Sequence, residues 1–148
     1  MLNAIQNAFI EALKAAREKG YPGTIEPYTG QLLRLTEYIH AVPAVLVHLA
    51  GGQFDRWDGA GATHAARHTV DILTLDVNPS GMEGQSADTH RLMEWVLDNL
   101  PGKVLKDGSL NLAYAGPVKY EIMITDKAGD ALVQVGRVSF DATIYGRK

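Results

Sequence analysis

The sequence predicts an α+β fold, a mainly antiparallel sheet with two amphipathic helices packed on one face. Three observations carry this. Two stretches place apolar residues at helical spacing, the remaining apolar residues fall in short runs that in places alternate with polar ones, and the runs are joined by turns rich in Gly, Pro, Asn and Asp. The order is helix, strands, helix, strands, whereas a doubly wound parallel fold needs helices and strands to alternate regularly.

Leu2, Ile5, Phe9, Leu13 and Ala16 mark the first helix, with Glu11, Lys14, Arg17 and Glu18 on its other faces and Gly20 then Pro22 ending it. A turn-rich stretch runs from Tyr21 to Gly30. Leu32, Leu35 and Ile39 then suggest a helical turn or two, which must stop before Pro43 because the residue preceding a proline is driven extended. The run Ala44 to Leu49, bounded by Pro43 and Gly51-Gly52, reads as a largely buried strand. It pairs as a hairpin with a second strand, His68 to Val77, across a Gly- and Asp-rich loop from Gln53 to about Thr63. After Asn78-Pro79-Ser80-Gly81, a second helix fits Ala87 to Leu100, with Ser86 as its N-cap, Leu92, Trp95, Val96 and Leu100 as its stripe, and Pro101-Gly102 as its stop. Strands follow at Leu110 to Tyr114 and Lys119 to Thr125, then a turn over Asp126 to Gly129 and a last strand from Ala131 to Tyr145. In that strand Val138, Phe140, Ala142 and Ile144 face one way and Ser139, Asp141 and Thr143 the other.

A chain of 148 residues with 46% hydrophobic and 21% charged residues fits a single domain, residues 1–148, that folds by packing. A net charge of −3 supplies no basic field for a phosphate backbone, so nucleic acid is expected only as passing cargo. With no cysteine, disulfide frameworks, thiolate metal sites and thiol catalysis are all excluded. No segment approaches the length of a membrane span, and the first residues lack a secretory pattern, so no membrane partner is expected.

Chemistry-bearing patterns are sparse. His64 and His68 stand at H-x-x-x-H spacing near the strand carrying His48, and convergence of the three would suggest a small metal-dependent hydrolase. Zinc proteases place their histidines on a helix with an intervening glutamate, whereas Ala65-Ala66-Arg67 lies on a hairpin arm. Asp55 to Gly61 lacks the alternating oxygen ligands of a calcium loop, and Gly59-x-Gly61 lacks the third glycine and following helix of a dinucleotide site. No catalytic, metal-binding or cofactor-binding residue is therefore assigned and no cofactor is expected. Phe54 and Trp57 either anchor a partner or fold back onto the core, and neither role is catalytic.

The run Val42-Pro43-Ala44-Val45-Leu46-Val47-His48-Leu49-Ala50-Gly51-Gly52 resembles the proline-alanine strand of phage tail-terminator and tail-completion proteins. The order of pieces around it is similar too: the helix Leu2 to Lys19, the strand His68 to Val77, the helix Asp88 to Leu100 with Met93-Glu94-Trp95, and the strand Gly136 to Tyr145. The resemblance is closest to the tail protein of Mu-like phages and prophages, and more distant to the lambda-type terminator. The segments Asp55 to Thr63 and Tyr120 to Val135 depart from the pattern. The resemblance implies a non-enzymatic homo-hexameric ring in the virion tail, assembled in the bacterial cytoplasm. Such a ring caps the tail tube, stops its growth and meets head-completion or neck proteins, with the sheath as a further neighbour. Contacts are expected on the loops Gln53 to Thr63 and Asn78 to Gln85 and the turn Asp126 to Asp130, represented by Phe54, Trp57, Asp58, Met82 and Lys127. A neck, baseplate or tube subunit is the rival within the same setting.

Overall fold

The computed structural model describes residues 2–17, 21–34, 43–53, 67–78, 85–100, 104–107, 110–114, 117–128 and 131–145. In chain order these form α1 (Leu2–Ala16), β1 (Thr24–Pro27), a 3-10 turn (Gln31–Arg34), β2 (Ala44–Gln53), β3 (Arg67–Asn78), α2 (Gln85–Asn99), β4 (Val104–Asp107), β5 (Leu110–Tyr114), β6 (Lys119–Ala128) and β7 (Ala131–Tyr145). The expected α+β architecture holds: a seven-stranded, mainly antiparallel sheet ordered β1-β2-β3-β7-β5-β4, with β6 also on β7, carries both helices on one face.

The helices sit there because their stripes and one side of the strands share a single core. Ile5, Phe9 and Leu13 of α1 and Leu92, Val96 and Leu100 at α2 are fully buried with Val45, Val47, Val70, Ile72, Val138, Phe140 and Ala142. The strand residues alternate, as strand geometry requires of side chains on one face. Trp95 packs at the margin of this core, edge-on to Tyr21 at 6.5 Å between ring centroids, and Arg91 lies 4.5 Å over the Tyr21 ring. The opposite face has its own small cluster of Ala44, Leu46, Leu73, Leu75, Val133 and Val135, with Tyr28 and Leu32 packed against it. Burial on both faces explains why β2 begins as an unbroken apolar run.

Several expectations need correction. The stretch read as turn-rich contains β1, which pairs parallel to β2 from Thr24↔Ala44 to Pro27↔Val47 and makes the sheet mixed. Gln31 ties it to the following turn: its Nε2 donates to the Pro27 carbonyl at 3.0 Å, and its Oε1 accepts from the Thr29 amide at 2.6 Å. Gly30 holds a positive φ of 94°, which a side chain resists. Val104–Asp107 is a strand that no sequence signal announced, antiparallel to β5. Residues 126–128 are not a turn. β6 continues through Asp126↔Val133 to Ala128↔Ala131, because every added pair satisfies further backbone donors and acceptors in the ladder. Finally, α2 starts at Gln85, so Ser86 lies within its first turn rather than capping it.

One edge of β7 pairs with β3 from Leu132 to Thr143. Its other edge is shared: β6 takes Ala131 to Ser139 and β5 takes Ala142 to Tyr145. The β7 edge changes partner between the β5 pair Tyr114↔Ala142 and the β6 pair Lys119↔Ser139, and the Val118 amide donates to the Ser139 carbonyl at 2.8 Å. β6 thereby has β7 as its one partner strand among the described residues.

Candidate functional site

Of the contact residues expected from sequence, Phe54, Trp57, Asp58 and Met82 lie outside the described residues, as does His64. Lys127 is placed in β6 opposite Leu132, in the ladder rather than at a turn. The ends of β2 and β3 from which residues 54–66 depart frame an open depression of about 460 Å³ lined by Ala50, Gly51, Gly52, Arg67, Thr69 and Asp141. A register shift between Leu49 and Gly51 shapes its rim, and Gln6 of α1 accepts the Leu49 amide at 3.3 Å beside it.

His48 and His68 do not converge. His48 lies opposite Asp71 in the hairpin and contacts Tyr28 at 5.1 Å between ring centroids, on the face away from the helices. His68, three residues along β3 from Asp71, points to the helix face. A sheet therefore separates two of the three imidazoles that a metal hydrolase would need together. Among the described residues no group of three or more His, Cys, Asp or Glu side chains is placed to hold a metal.

The face away from the helices instead carries a polar row, because the registers align His48, Asp71, Ser139 and Lys119 across four strands. Ser139 Oγ donates to Asp71 Oδ1 at 2.6 Å, and both residues are buried. Arg137 approaches Asp71 Oδ2 at 3.8 Å and also pairs with Glu121. The set contains Ser, Asp and His, but the carboxylate stands where nucleophilic catalysis places the imidazole, so Ser139 cannot pass its proton to His48. The row satisfies a buried carboxylate and pins three strands in register. Sequence reading saw Ser139 and Asp141 only as the outward side of β7. The pairing with Asp71, 68 residues away, has no local signal.

His68 is 3% exposed, and its Nε2 has no hydrogen-bond partner among the described residues. Burial lowers its pKa from the usual 6.5, because the charged imidazolium loses solvation. A depressed folded-state value means that the unfolded chain binds the proton more readily. The stabilisation is therefore complete above 6.5 and is lost as pH falls through the folded-state value. Urea midpoints measured from about pH 7.5 down to about pH 5.5 should fall, and His68→Gln should flatten that slope. Equal slopes in the two proteins would remove His68 as the cause.

A third feature is apolar. Val118 just before β6 and Tyr120 and Ile122 within it are exposed, and Tyr120 closes a groove of about 270 Å³ with His90, Met93, Glu94 and Leu97 of α2. By register Tyr120 and Ile122 lie opposite Val138 and Gly136, on the helix side of the sheet, where α2 stops short of covering β6. Exposed apolar area rimmed by polar residues marks a surface for another protein more often than a solvent face.

No family model matches the chain, and no curated protein matches it. A solved structure is similar over 98% of this chain and 96% of its own, with a TM-score of 0.57 and 16% identity. At that identity the likeness speaks to the fold alone. No helix among the described residues is long and apolar enough to cross a membrane.

Proposed function

We propose that this chain is a structural subunit of a phage or prophage tail, a terminator that closes the tail tube as a ring and presents its other side to head-completion proteins. The observation that carries the reading is the exposed apolar strip on β6, which pairs only with β7 among the described residues, beside the α2 groove, a surface suited to holding a neighbouring protein. The resemblance supplies the setting, and its order of pieces agrees with the succession α1, β2 opening after Pro43, β3, α2 with Trp95, and β7. A ring of this kind acts by shape. Two unlike patches on each subunit, repeated about a closing rotation, build it without any bond being made or broken.

Deletion of the gene from a phage that carries it tests the role. Overlong or headless tails, restored by the intact gene, are the expected outcome, and electron microscopy of labelled particles should put the protein at the head-proximal end of the tube. Tails of normal length and normal head attachment without it would refute termination, and label at the baseplate or along the tube would reassign the subunit within the tail.

A further inference from the structure

β6 pairs with β7 alone among the described residues, so its other edge offers backbone donors and acceptors to a further strand. Its first half is open to contact: Tyr120 is 68% exposed, Ile122 40% and Val118, just ahead of the strand, 58%, and Lys119 is exposed as well. The order of these residues mirrors itself. Outward from Tyr120 in either direction comes a charged residue, Lys119 or Glu121, and then an aliphatic one, Val118 or Ile122. By register Lys119 and Glu121 lie on the side of Ser139 and Arg137, and Tyr120 and Ile122 on the helix side. Glu121 pairs with Arg137, whereas Lys119 has no ion-pair partner among the described residues.

We propose that this stretch pairs antiparallel with the same stretch of a second copy of the chain, about a two-fold axis at Tyr120. Charge selects both the occupant and the register. Residues directly opposite in an antiparallel pair point to the same side of the sheet, and like charges placed there repel. An axis at Lys119 or at Glu121 sets that charge against itself. An axis between two residues sets the charged side of one copy against the apolar side of the other. Only an axis at Tyr120 sets Lys119 against Glu121 twice, Tyr120 against Tyr120, and Val118 against Ile122. Glu121 then lies between Arg137 of its own chain and Lys119 of the second copy, so the polar row running from Asp71 through Arg137 continues across the axis. The register shift between Ile122 and Ile124 breaks the regular edge and confines the pairing to the residues before it. A two-fold contact joins like patches, whereas a closing ring joins unlike ones, so this contact goes beyond the ring reading and belongs to the free subunit.

Sedimentation of the full chain tests the contact, with circular dichroism and urea midpoints as the check on folding. Wild-type protein should pass from monomer to dimer as its concentration rises. Lys119→Glu and Glu121→Lys each set like charges opposite one another twice, so each variant alone should dimerise more weakly by about tenfold or more. An equimolar mixture of the two should recover 1:1 dimers, because the facing charges of the two chains are then opposite at both pairs. The chain has no cysteine, so Tyr120→Cys gives a second readout that holds even if Glu121→Lys, beside Arg137, disturbs the fold. Residues opposite in an antiparallel pair stand about 4.5–5.5 Å apart between Cα atoms, within disulfide reach. Under mild oxidation that variant should become a covalent dimer, while Leu33→Cys, at a position 86% exposed and away from the axis, should link far more slowly. Dimers that both charge variants leave intact, a mixture of folded variants that stays monomeric, or cross-linking no faster at position 120 than at 33 overturns the pairing. Wild-type protein that stays monomeric at every concentration overturns it as well, and leaves the ring to be judged by the tails. Normal tails without the gene, beside an intact dimer, overturn the ring and leave this contact standing.

Discussion

Phe140→Ala is expected to lower the unfolding free energy by about 4 kcal/mol, the cost of a large aromatic removed from a core that cannot collapse around the void. Phe140 is fully buried, and its ring stands 6.0 Å from that of Phe9, tilted by 47°, so it joins β7 to α1 at the centre of the molecule. Domains of this size have about 5–15 kcal/mol in all, so the variant should lose a large share of its stability. A urea midpoint shifted well below wild type with unchanged slope is the expected result. A shift worth less than about 1 kcal/mol would show that the two layers are not held through this ring.

Gly136→Val should follow closely, at about 3 kcal/mol, by the opposite mechanism. A Cβ at Gly136 would stand 2.6 Å from Met93 Sδ and 2.6 Å from Thr74 Oγ1. The methionine end can swing, but Thr74 is branched at Cβ, buried and paired with Gly136 across the β3–β7 ladder. Relief therefore means lifting α2 off the sheet. The variant should therefore lower the urea midpoint well below wild type. Unchanged stability would mean that α2 crosses β7 with more room than Gly136 suggests.

Both substitutions lie on β7, the strand whose reading from sequence was the most complete. Its bounds and the facing of Val138, Phe140 and Ala142 against Ser139 and Asp141 followed from alternation alone, since a strand with one face in a core advertises it every second residue. α1 was legible for the same reason at helical spacing. β1 was not, because four residues ending in proline carry no period, and they are extended only through their parallel ladder with β2. β4 is equally short and depends on β5. The histidines show a different limit. Their sequence positions put His48 and His68 on neighbouring hairpin arms, but which face each takes depends on register, and one residue of slip would reverse one of them. Most of the expected contact residues fall in segments outside the described structure, so the surface that supports the proposed function comes from elsewhere, from Tyr120 and the α2 groove.

Local periodicity by itself determined the helices, the long strands and the α+β class, because each of these is set by neighbours within a few positions along the chain, and composition, with no cysteine, excluded thiol chemistry. Only the tertiary structure decided that β7 divides one edge between β5 and β6, that Asp71 meets Ser139, and that Tyr120 stays outside. Those outcomes are set by residues far apart in sequence, whose proximity costs chain entropy that only the assembled core repays.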